Sequence, residues 1–229
     1  LTSPGAATFN GAVTASNVSG GVAINNSSRT VTFSSLNLGS SAARFASTPV
    51  ALSGNTGAVN LGNLKIYTNA VTALNINYAN ASPGRVSTSA GSVLDVSGAA
   101  TALVVNHATL QDLNLRFASI LSPGAGTHGI SINRATGLLQ VETLVNLGAK
   151  TTAGVEISNS SLVTYIQELD ITGAFDGVRL SNTTEEFVLM GDLNFSDAHT
   201  NGMGGTFSNI VDNAFDFTNV NTFRATDVI

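Results

Sequence analysis

Gly154-Val155-Glu156-Ile157-Ser158 is the stretch from which the fold can be read. Two apolar residues flank one variable residue, and a small polar residue follows. The same frame returns as Val22-Ala23-Ile24-Asn25, Val50-Ala51-Leu52-Ser53, Leu74-Asn75-Ile76-Asn77, Leu103-Val104-Val105-Asn106, Ile130-Ser131-Ile132-Asn133 and Val178-Arg179-Leu180-Ser181. The frames start at 22, 50, 74, 103, 130, 155 and 178, so the steps are 28, 24, 29, 27, 25 and 23 residues. Self-similarity at this spacing marks a repeat architecture.

The copies also agree beyond the frame. Counting from the second apolar residue, Ile24 is followed by Val31, Phe33, Leu36 and Leu38, and Leu52 by Val59, Leu61, Leu64 and Ile66, at the same four offsets. Phe187 and Leu189 hold the first two offsets after Leu180. Leu139, Val141 and Leu144 follow Ile132, and Leu169 and Ile171 follow Ile157. Most of these residues come in pairs two apart, which puts both side chains on one face of a strand. Turns rich in Asn, Ser, Thr and Gly join them. No segment keeps a 3.6-residue period, so no substantial helix is expected.

Short strands in units of about 25 residues predict an all-β coil in which one turn of chain is one rung. Each strand pairs with its copy in the rungs above and below, at roughly 4.8 Å. About eight rungs are expected, in a single domain spanning 1–229. A leucine-rich repeat has units of similar length, but its dense leucine spacing and its helical segment are missing.

Composition fits this reading. Of 229 residues, 43% are hydrophobic, enough for a long thin core. Only 10% are charged, far below the roughly 25% usual in globular domains, so Asn, Ser and Thr must supply the polar surface. There is no Cys, which excludes disulfides and thiolate metal sites and suits an exported protein. No apolar run approaches the length of a membrane-spanning helix. The chain opens at Leu1 and stops at Ile229 in mid-repeat, as a segment of a longer repeat protein would.

Along the chain, residues 1–20 hold Phe9, Val13 and Val18 among small polar residues and read as the back half of a rung whose front lies upstream. A loop is expected at 79–92, signalled by Ala81-Ser82-Pro83-Gly84, and another excursion at 122–126. His107 follows a frame at the position held elsewhere by Asn26, Gly54, Tyr78, Arg134, Asn159 and Asn182; so varied a column predicts an exposed corner. After Val178 the best next frame is Phe215-Asp216-Phe217-Thr218, 37 residues on, with an extra strand at 204–207. Met203 is the alternative start, and 191–205 is the longest irregular stretch. With the Phe215 frame, the outward residues Glu156, Arg179 and Asp216 form one column of alternating sign.

The tandem frames, the turns Asn55-Thr56-Gly57 and Asn182-Thr183-Thr184, and the run Gly204-Gly205-Thr206-Phe207-Ser208-Asn209 resemble bacterial right-handed parallel β-helix surface proteins, such as autotransporter passengers and adhesin-like repeat proteins. The resemblance covers roughly residues 10–229. It implies export, a cell-surface or secreted location, and a stiff stalk or adhesive rod.

Many parallel β-helix proteins instead cleave acidic polysaccharides with clustered carboxylates. No Asp-Asp pair occurs, and His128-Gly129 lacks the flanking Gly and the Arg-x-Lys of a pectin-hydrolase motif. The nearest approach to a catalytic set is Asp192, Asp197 and His199, which also suit a solvated loop. Calcium-binding nonapeptides, phosphate loops and zinc motifs are missing. No cofactor or metal is expected. Residues 1–114 carry four basic and two acidic groups, and 115–229 five and twelve, giving +2 and −7. Such acidity disfavours nucleic acid as a partner, and the asymmetry suits head-to-tail rods. The expected function is therefore a non-enzymatic surface rod. Its partners would be its own ends, neighbouring repeats, a surface carbohydrate or a host ligand. A polysaccharide-active or carbohydrate-binding β-helix is the alternative.

Overall fold

The computed structural model describes residues 1, 6–16, 18, 20–78, 83–189 and 205–225. Among them there is no helix, and every strand pairing is parallel. The chain is a β-solenoid. Its frame column runs Val22, Val50, Leu74, Leu103, Ile130, Val155, Val178 and Phe215, each paired with the next. Eight frames make seven turns, and the frame at Phe215 is the true one.

Alternation along each strand sends one residue in and the next out. The second apolar position of the frame gives an inner column of Ile24, Leu52, Ile76, Val105, Ile132, Ile157 and Leu180, all buried. Val31, Val59, Val86 and Leu113 form a second inner column. Leu38, Ile66, Leu94, Ile120, Val145 and Leu169 form a third. The repeated offsets in the sequence are these columns.

The residue before each frame is always small: Gly21, Pro49, Ala73, Ala102, Gly129, Gly154, Gly177 or Ala214. The reason is a close approach. A Cβ on Gly154 would lie 2.5 Å from Ile171 Cδ1 and 2.8 Å from the Gly177 carbonyl. After the frame the chain turns a corner in the left-handed region at Asn26, Arg134, Asn159, Asn182 and Asn219, with φ between 49° and 60°. Asn tolerates that conformation better than other side chains.

Two expected excursions are smaller than the turn signals imply. Within 79–92, the strand Val86–Ser87 pairs with both neighbouring rungs, and Val86 is fully buried. Pro83 and Gly84 lie just before that strand, and residues 79–82 lie outside the described residues. Ser122 is likewise buried at the end of the strand Leu103–Ser122, and a new strand starts at Gly126, so that loop spans only 123–125. The extra strand before the last frame is Phe207–Ser208, paired with Leu169–Thr172. Met203 and most of 191–205 lie outside the described residues.

Ile132 stands mid-column with 1% of its surface exposed. Truncation to Ala should cost about 2–5 kcal/mol in equilibrium denaturant unfolding. A loss below about 1 kcal/mol would show that this column does not bear on the core as its burial implies.

Candidate functional site

The outward face of the frame carries a cluster of ion pairs. Glu156 pairs in register with Arg179, and Arg179 with Asp216. Arg179 Nη1 lies 3.6 Å from Glu156 Oε2, and its Nε lies 3.2 Å from Asp216 Oδ2. Its second Nη binds Asp176, whose side chain is buried and also accepts the Asn213 N–H at 3.2 Å. His128 Nε2 lies 3.1 Å from Glu156 Oε2, one rung further along. The His128 contact and the Arg179 guanidinium together hold the Glu156 carboxyl below its usual range. Each carboxylate is thus engaged by the central arginine. This is a lock across three rungs, with no acid and base set facing each other across open space.

Beside it runs a chain of side-chain amides. Asn219 Nδ2 donates to Asn182 Oδ1 at 2.9 Å, Asn182 to Asn159 at 3.0 Å, Asn159 to Asn133 at 3.0 Å and Asn133 to Asn106 at 3.2 Å. All four bonds point the same way along the axis. The Ser158 hydroxyl also donates to Asn133 Oδ1, and that of Ser53 to Asn25 Oδ1. The ladder thus begins on the polar residue after the frame and steps over to the left-handed corner at Asn159, because Arg134 holds that corner one rung earlier.

The corner column is not uniformly exposed. Asn26, Arg134, Asn159 and Asn182 face solvent, but Tyr78 and His107 are buried, which corrects the expectation for His107. The chain there turns its large rings inward, where they meet edge-on at 5.7 Å. Asn55 serves this interior: its Nδ2 donates to Tyr78 Oη and to the Ile24 carbonyl, and its Oδ1 accepts the Ser27 N–H. Burial pushes the Tyr78 phenol up to about 12. His107 Nδ1 accepts the Thr109 N–H at 2.8 Å, while Gln111 Nε2 donates to the Gly84 carbonyl at 2.7 Å. Tyr78 and His107 sit at equivalent places in neighbouring rungs.

Lys150 is a second internal polar group that the sequence did not single out. Its ammonium donates to the Ser122 carbonyl at 2.8 Å, to Ser122 Oγ at 3.0 Å and to the Gly124 carbonyl. It closes the 123–125 turn, and among the described residues no carboxylate pairs with it. Burial lowers its pKa to about 8.

Among the described residues, two of the open surface grooves stand out by volume. One, of about 570 Å³, runs over successive rungs past Thr48, Thr72, Thr101, Thr127 and Thr151. The other, of about 540 Å³, lies beside Leu110, Arg134 and Asn159. Neither gathers a catalytic set, and among the described residues no three His, Asp or Glu side chains converge as metal ligands. The sequence candidates Asp192, Asp197 and His199 lie outside the described residues. No family model, curated protein or solved structure matches the chain.

Two outcomes follow. Arg179→Met leaves the buried Asp176 without its cation and should cost roughly 3 kcal/mol in unfolding free energy; a change near zero would mean that solvent replaces the arginine. The native state releases the Lys150 proton at about 8, whereas an unperturbed lysine holds it to 10.5. Between these values the unfolded chain binds more protons, so stability should rise with pH across that window. Lys150→Met should abolish the rise. A slope that survives this substitution would exclude Lys150 as its source.

Proposed function

We propose that this chain is a structural rod, serving as a non-enzymatic stalk or adhesive segment outside the cell. One observation carries the reading: one outward column of amides and one of ion pairs bind their own neighbours along the axis. The amide chain from Asn219 to Asn106 and the ion-pair column through Arg179 tie consecutive rungs together. A catalytic face keeps its acids and bases free for substrate. Here they add stiffness between rungs. The low charge content and the absence of cysteine fit an exported protein of this kind. The resemblance to β-helix surface proteins points the same way.

The rival is an enzyme acting on acidic polysaccharides. The protein should produce no new reducing ends and no unsaturated uronate absorbance from polygalacturonate, alginate or hyaluronate, with or without Ca²⁺. Turnover that disappears in Asp192→Asn, Asp197→Asn or His199→Ala would replace the rod reading with the enzymatic one.

A further inference from the structure

The geometry points to the segment 39–49 as a strap that fastens three successive turns of the solenoid through Arg44, so that these turns open as one unit. This deepens the rod reading and rests on it for its use: a rod under tension would lose the three turns together or keep them all.

A solenoid is held by contacts between neighbours. Its stability is nearly a sum of terms for single turns and for adjacent pairs, so one turn can open without disturbing the turn after next. The amide ladder obeys this pattern. Its bonds join residues 23, 26, 27 and 37 positions apart, which is one turn. Arg44 and Asp95 are 51 positions apart and meet across the turn between them.

The path can be followed residue by residue. Counted from frame to frame, the turns are 22–49, 50–73 and 74–102. In the first, the chain leaves the inner column at Leu38 and runs through 39–49 before the next frame. The counterpart in the second turn, after Ile66, is the shorter segment 67–73. The longer segment lies against the second turn. The Phe45 N–H donates to the Tyr67 carbonyl at 2.9 Å, the Asn69 N–H donates to the Phe45 carbonyl at 2.8 Å, and Phe45 is buried. Arg44 sits beside this anchor. Its guanidinium carbon lies 5.8 Å from the centre of the Tyr67 ring, and Tyr67 pairs in register with Asp95 of the third turn. There the guanidinium meets the carboxylate with both nitrogens, Nη1 to Oδ1 at 2.8 Å and Nη2 to Oδ2 at 3.0 Å. Nη1 also donates to the Thr68 carbonyl at 3.3 Å and to the Asp95 carbonyl at 3.0 Å. One side chain from the first turn thus holds the second and the third.

This contact is of the kind that resists opening. The two side chains are only 20% and 17% exposed, and a two-pronged arginine–carboxylate pair fixes direction as well as distance. The pair Arg85–Asp112 joins adjacent turns instead, with Arg85 58% exposed, and exposed pairs contribute little. Opening the first turn breaks the bond to Asp95 and leaves that carboxylate without its cation. Opening the third turn breaks the same bond. Losing either turn therefore costs a contact held by the other, and the second turn lies between them.

Hydrogen–deuterium exchange of the native 229-residue chain, read by mass spectrometry over a series of low denaturant concentrations, tests this. The strands Val31–Leu38, Asn63–Thr68 and Val93–Val96, one from each turn, should share one opening, separate from that of Gly126–Leu147. Arg44→Met should split it, and exchange in the first and third strands should speed up by about tenfold or more, the scale of a lost charge-assisted hydrogen bond. Asp95→Asn, changed two turns away, should give the same split. Arg85→Met should leave the shared opening intact. If Arg44→Met loses the native circular dichroism, Arg44→Lys, which keeps the charge but not the two-pronged contact, takes its place. Three different openings in the unmodified chain, a single opening common to the whole chain, or a shared opening that survives Arg44→Met would each overturn the proposal. So would acceleration confined to 39–49, which is what local packing alone predicts. Each of these outcomes leaves the rod reading intact, whereas polysaccharide turnover would end the rod reading whatever the exchange pattern.

Discussion

Every rung of this molecule pairs in parallel with the next, and nearly every residue stands beside its counterpart one turn away. That constraint governs the rest. A residue in an ordinary fold chooses its neighbours from many; a residue here inherits two of them from its column. Side-chain chemistry must therefore be acceptable when repeated. Apolar columns repeat without penalty, which is why Ile24 to Leu180 is aliphatic in every rung. A column of one charge cannot repeat, because like charges about 4.8 Å apart repel. The frame's outward column resolves this by staying small or neutral in its early rungs and alternating sign in its last three, at Glu156, Arg179 and Asp216.

Asparagine escapes the conflict altogether. An amide both donates and accepts, so a column of amides bonds to itself in one direction without alternation. The same side chain also tolerates the left-handed corner that ends each frame. One residue type thus satisfies both the backbone turn and the side-chain stack, at Asn159, Asn182 and Asn219. Gly54 satisfies the first requirement only, and the ladder has no amide in that rung's corner.

The inner columns were legible in the sequence because they combine two periods, two residues within a strand and about 25 between rungs. Each period checks the other, and the frame at Phe215 could be placed across a gap of 37 residues on that basis. What escaped reading were positions where a side chain leaves the rule of its column. Tyr78 and His107 turn inward at a corner where Asn turns outward, and the backbone difference behind this cannot be seen in their spacing. Val86 was hidden by a neighbouring Pro-Gly turn signal, although its own burial is complete. Nothing in the sequence singled out Lys150. Its burial depends on the carbonyls of a turn in the preceding rung, a contact across 28 residues that no local pattern announces.

The charge gradient follows from the same geometry and acts at a different range. At physiological salt the screening length is about 8 Å, under two rung spacings of about 4.8 Å each. Basic groups near Arg29 and carboxylates near Asp216 stand many rungs apart along the solenoid, so they are screened from one another and add almost nothing to the stability of the fold. Their segregation therefore acts only on charges within a few ångströms of the same rungs. There the acidic groups of the last rungs act together, with Arg179 already engaged by three carboxylates and so unable to offset them further. Local pairing holds the rungs, and the charge it leaves uncompensated acts only on its immediate surroundings.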